Sequence, residues 1–137
     1  MNEHLACIYE VNLPSTLASI IEVENLIEKA CAELHLSEEL FGNILISVTE
    51  GVNNAILHGN KSQPVLSVHM EILNNEDWIC FRIQDQGEGF NPDLIPDPTA
   101  PENLLKESGR GVFLMRSLAD EVTFENNATV VNIYFRR

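Results

Sequence analysis

The hydrophobic pattern of this chain switches from the period of a strand to that of a helix and back, twice, with a long proline-bearing connection between the two cycles. Leu5, Cys7, Tyr9 and Val11 alternate against Glu10, which predicts a strand over 5–11. Pro14-Ser15 interrupts it. From Thr16 to Leu36, apolar Leu17, Ile20, Ile21, Leu26, Ile27, Ala30 and Leu34 recur at helical spacing. Ser37 then reads as the N-cap of a second helix, with Glu38 and Glu39 suiting its dipole, running to His58 and stopping at Gly59. Strands over 65–73 and 78–85 follow, joined by the short turn Asn74–Asp77, an antiparallel hairpin. A helix over 111–119 and strands over 121–125 and 129–136, turning at Asn126-Asn127, complete the pattern. This order predicts one domain over 1–137, an α+β two-layer sandwich whose mostly antiparallel sheet carries three helices on one face.

Composition narrows what such a domain can do. Hydrophobic content of 45% suits a globular core. No apolar run approaches the ~20 residues of a membrane span, and Met1-Asn2-Glu3-His4 lacks the basic start of a secretory signal. A cytoplasmic protein with no membrane contact is expected. A net charge of −13 repels the phosphates of nucleic acid, so no direct nucleic-acid binding is expected either. With only eight Lys and Arg, any phosphate ligand must rely on backbone N–H groups, a helix N-terminus and a metal ion. Cys7, Cys31 and Cys80 stand singly among apolar residues, which predicts buried reduced thiols and no zinc motif.

Three short stretches carry the candidate chemistry. On the second helix, Asn43, Ser47, Glu50, Asn54 and His58 fall within about a quarter of the circumference at ~100° per residue. That quarter is either a solvated face or a site in which Glu50 orients a nucleophile and the Asn54 amide oxygen holds a hard cation. His58, near the helix end, suits the dipole there better than catalysis. Asp85 continues the apolar face of its strand into Gln86-Gly87-Glu88-Gly89. It is either a turn-initiating Asp or a carboxylate that needs a donor such as an adenine amino group. Gly87 and Gly89 allow the backbone close to a flat ring. Ser108-Gly109-Arg110-Gly111 enters the third helix, either as a capped loop end or as a receptor for phosphate oxygens. Residues 91–108, with Pro92, Pro96, Pro98 and Pro101, have the length of a functional lid. No P-loop, dinucleotide fingerprint, EF-hand or nucleophile elbow is present.

In this order and at these gaps, the stretches resemble the boxes of the Bergerat-fold ATPases. The helix with Glu50 and Asn54 resembles the N-box, Asp85 to Phe90 the first glycine box, 91–108 the ATP lid and Gly109-Arg110-Gly111 the second glycine box. The wording of Glu50–Gly59 and Gly111–Val122 is similar to that of the anti-sigma factor serine/threonine kinases. The resemblance implies a kinase that uses ATP and Mg²⁺ to phosphorylate an anti-sigma factor antagonist, binds a sigma factor and forms a homodimer. It implies Glu50 as the base or hydroxyl-orienting residue, Asn54 as the Mg²⁺ ligand, and Asp85 as the acceptor for the adenine amino group. Gly87 and Gly89 would shape the base pocket, and Gly109, Arg110 and Gly111 would hold phosphates. Sporulation-type members carry a basic residue in the lid where this chain has Glu107, so Lys106 or Arg110 would make the γ-phosphate contact. Two rivals share the same residues: a non-catalytic module whose ATP controls partner docking, and a plain ATPase.

Overall fold

The computed structural model describes residues 4–87 and 107–137. Its elements run β1 Ala6–Pro14, α1 Ala18–Glu33, α2 Glu38–Asn54, a π turn Ala55–Gly59, β2 Ser67–Asn74, β3 Trp78–Gln84, α3 Glu107–Leu118, β4 Glu121–Glu125 and β5 Val130–Arg136. Among these residues the five strands form one antiparallel sheet in the order β1-β2-β3-β5-β4. The expected α+β sandwich is what forms.

Strand alternation sets the two faces of that sheet. Val68, Met70, Ile72, Ile79, Phe81, Ile83, Ile133 and Phe135 point to the helices and are buried. Glu10, Asn12, His69, Glu71, Arg82 and Asn132 share the other face, as the pairing of Glu10 with Glu71 and of Arg82 with Asn132 requires. β1 runs through Pro14 because it is an edge strand, where a missing N–H leaves no ladder bond unmade. A bulge between Cys7 and Tyr9 shifts the register there, and Cys7 lies exposed. The expectation of a buried thiol therefore fails at Cys7 and holds at Cys31 and Cys80.

The helices show where amphipathic reading needs correction. On α1, Val23, Ile27, Ala30 and Cys31 are buried, whereas Leu17 and Ile21 are more than 60% exposed. Ser37 caps α2 as expected, accepting the Leu40 N–H at 3.1 Å. The helix is nonetheless not half solvated. Val48 and Val52 are buried, but so are Ser47 and Gly51, because α3 packs across the polar side. Ser47 donates its hydroxyl to the Met115 carbonyl at 3.4 Å. A Cβ on Gly51 would stand 2.8 Å from Ile83 Cδ1 and 3.2 Å from Met115 Sδ, so its absence lets α2 sit this close to sheet and α3. Glu38–Gly59 is long and apolar enough to span a membrane by length and composition alone, but its apolar side, Ile44, Val48, Val52, Ala55 and Ile56, is buried in the core.

Candidate functional site

The straight helix expected up to His58 ends instead in a π turn. Asn60 N–H bonds to the Ala55 carbonyl at 2.8 Å, five residues back, and Ser62 N–H reaches the Ile56 carbonyl at 2.7 Å. Such wide turns cluster at functional sites because they reposition the residues after them. Here the turn delivers Gly59 directly beneath the Asp85 carboxylate, where any Cβ would collide with its oxygens. Gly87 is equally tight, since a Cβ there would strike the Gly59 carbonyl. Two glycines therefore let the helix end and the loop after β3 touch. His58 lies exposed in the last turn, at the carbonyl end that suits a basic side chain.

Asn60 locks this contact. It is 1% exposed. Its Nδ2 donates to Ser15 Oγ at 2.8 Å and to the Ser67 carbonyl at 2.9 Å, while Oδ1 accepts the Gln86 N–H at 2.7 Å. One side chain thus ties the end of β1, the start of β2 and the loop after β3 to the helix end. Sequence reading passed over it. The signal was an Asn after Gly59, legible only as a turn residue.

The contact borders a small recess, with Gly59 and Asp85 both in its lining. Ile83, Val112, Met115, Phe124 and Val131 make its apolar walls, and Asn54, Asp85 and Thr129 supply polar groups. Ala128, also in its lining, adopts a left-handed backbone (φ 63°) after Asn126 and Asn127 do the same. Asp85 lies just beyond β3, held by its N–H on the Thr129 carbonyl at 2.8 Å. Its Oδ1 accepts the Gly87 N–H at 2.8 Å, so it does initiate a turn. It also lines the recess. Burial pushes its carboxyl above the ordinary range, and the Gly87 N–H only partly offsets this.

Asn54 is half-buried, and its Nδ2 is buried with no hydrogen-bond partner among the described residues. Buried polar atoms are nearly always paired with protein, water or a bound group, so this amide is open to a ligand. Turning the amide over presents Oδ1 in the same place, a hard oxygen of the kind Mg²⁺ takes. The donor set therefore fits a hard cation bound with a polar ligand. Glu50 lies one turn earlier, but outside the recess. It lines an open groove with Leu17, Ile20, Thr49 and Asn53, between α1 and α2.

The remaining expected residues divide. α3 begins at Glu107, four residues before the expected Gly111, so Gly109, Arg110 and Gly111 lie within its first turns rather than ahead of it. Gly89, Lys106 and all of the expected lid 91–108 except its last two residues lie outside the described residues. Arg116, further along α3, sits over the Phe124 ring at 5.5 Å.

A family profile described as histidine kinase-like ATPase domain matches residues 13–135. The chain belongs to that family. Membership implies use of ATP, and the matched span holds every candidate residue described above. Among similar proteins, the histidine kinase-like domain here is 38% identical over 87 residues to the serine-protein kinase RsbW of Staphylococcus aureus strain JH9, and equally to that of strain NCTC 8325. The match covers 57% of this chain and 54% of each relative, so it spans about half the length of the curated proteins it resembles. A crystal structure of the RsbU and RsbW domains of Rv1364c from Mycobacterium tuberculosis superposes with a TM-score of 0.59 at 13% identity, covering 94% of this chain and 32% of that one. That likeness concerns the fold.

Proposed function

We propose that this domain is a serine/threonine protein kinase that transfers the γ-phosphoryl group of Mg-ATP to an anti-sigma factor antagonist, and that it acts as an anti-sigma factor on a sigma factor. The carrying observation is the unpartnered Asn54 amide sharing one apolar-walled recess with Asp85. Asp85 would accept a hydrogen bond from the adenine amino group, with Gly87 and Gly89 flanking the ring. From the recess, ribose and phosphates would extend toward α3. There Gly109, Arg110 and Gly111, with Lys106 before them, would receive phosphate oxygens. Asn54 would hold Mg²⁺, which when bound neutralises phosphate charge. Glu50 would orient the acceptor hydroxyl arriving through the groove between α1 and α2.

A protein acceptor is favoured over water by what surrounds Glu50. Leu17, Ile21 and Ile46 are exposed apolar side chains on the two helices that form the groove, a surface suited to a polypeptide. The RsbW relatives are serine-protein kinases by name, which agrees with this choice. A homodimer in the cytoplasm and a lid over 91–108 complete the proposal.

Incubation with Mg-ATP and the product of the neighbouring gene tests it, reading free phosphate and the intact mass of the partner. A gain of one phosphate on the partner supports the kinase. Free phosphate alone indicates a plain ATPase, and neither product indicates a docking module. Glu50→Gln should keep nucleotide affinity and abolish transfer to the partner; undiminished transfer would remove Glu50 from the reaction.

A further inference from the structure

The face of the sheet turned away from the helices carries a second cluster. Glu10 on β1 and Glu71 on β2 are paired directly across the ladder. Like charges in that position repel, so a cation near them is favoured. Arg82 supplies little of it, since its Nε stands 3.9 Å from Glu71 while its NH1 bonds Glu125 at 2.7 Å. His69, beside Glu71 on the same face of β2, is the group between the two acids. Its Nδ1 lies 2.7 Å from Asn12 Oδ1, which fixes the ring. Nε2 faces both carboxylates.

Nε2 stands 3.3 Å from Glu10 Oε2 and 3.7 Å from Glu71 Oε1. Around tetrahedral zinc, with bonds of about 2.0–2.2 Å, neighbouring ligand atoms stand about 3.3–3.6 Å apart. All three ligand atoms lie within 4.8 Å of one another. The second ring nitrogen is held by an amide oxygen, the outer-shell arrangement that metal-bound His residues use. We infer that His69, Glu10 and Glu71 form a divalent transition-metal site of the zinc type, with open coordination positions, on the sheet face opposite the nucleotide recess. Imidazole with carboxylates favours zinc over magnesium or calcium. The metal would staple edge strand β1 to β2. No sequence spacing announced it, because its ligands come from two strands brought together by pairing.

The test is calorimetric titration of untagged, chelator-stripped full chain with zinc chloride in excess Mg²⁺, beside His69→Asn, Glu10→Gln/Glu71→Gln and Asn12→Ala. One saturable zinc ion per chain is expected, abolished by the first two variants and weakened about 10–100-fold by Asn12→Ala. A zinc-dependent rise in melting temperature should vanish with it. All variants should bind ADP as the parent does, which shows that the fold is retained. Absence of a saturable zinc ion, or zinc affinity unchanged in His69→Asn, would overturn the site. So would an NMR titration showing that His69 takes up a proton between the two acids and does not respond to zinc.

Discussion

Asn54 and Asn60 lie six positions apart on one helical stretch, and the structure treats them in opposite ways. Asn60 spends its amide within the fold, bonding Ser15, Ser67 and Gln86. Among the described residues, Asn54 leaves its Nδ2 buried and unpaired beside an apolar recess. The π turn between them sends one amide into the scaffold and the other toward the recess. A buried amide that is fully paired holds a fold together, whereas one left unpaired is a cost that a bound polar group can relieve. The difference separates what builds the site from what the site is for.

Breaking that comparison should begin at Asn60. Asn60→Ala removes three hydrogen bonds made by a buried side chain and should lower unfolding free energy by on the order of 3 kcal/mol in urea denaturation. A loss below ~1 kcal/mol would mean the knot is ornamental. Gly59→Ala drives a methyl into the Asp85 carboxylate. It should cost about 1–3 kcal/mol and weaken ADP binding, both read from thermal melts with and without nucleotide. Asn54→Ala removes the orphan. The free protein should change by no more than ~1 kcal/mol, while the stabilisation given by Mg-ADP is lost.

Asp85→Asn gives the smallest effect on stability and the most specific. Because burial raises the native carboxyl above its unfolded value, the native state holds its proton to higher pH. Ionisation therefore costs stability as pH rises through the raised pKa. The free variant should be more stable than the parent at neutral pH, and the gap should close as pH falls until both side chains are neutral. Melting curves across the acidic range would show it, and a constant gap would exclude this cause.

Much of this was legible before any coordinates. Strand faces and the cap at Ser37 follow from local periodicity and hydrogen-bond chemistry, which neighbours do not override. Asp85 could be placed at the core edge because alternation along β3 continues to it. What local pattern cannot supply is the packing partner. Ser47 is buried because α3 crosses it, a fact about residues almost seventy positions away. The π turn escaped because a helical period reads the same until one extra residue widens a turn. Cys7 escaped because a bulge in edge strand β1 shifts the register there. Asn60, the strongest structural polar residue, resembled an ordinary turn residue after glycine.

The account rests on Asn54 and Asp85 closing on one nucleotide. Isotope-labelled protein titrated with Mg-ADP reads this directly from the Asn54 side-chain amide and the Gly87 backbone amide that caps Asp85. Saturable shifts of both, together, with the Asn60 side-chain signals left in place, are the predicted result. Saturating nucleotide that leaves the Asn54 amide unmoved would contradict it.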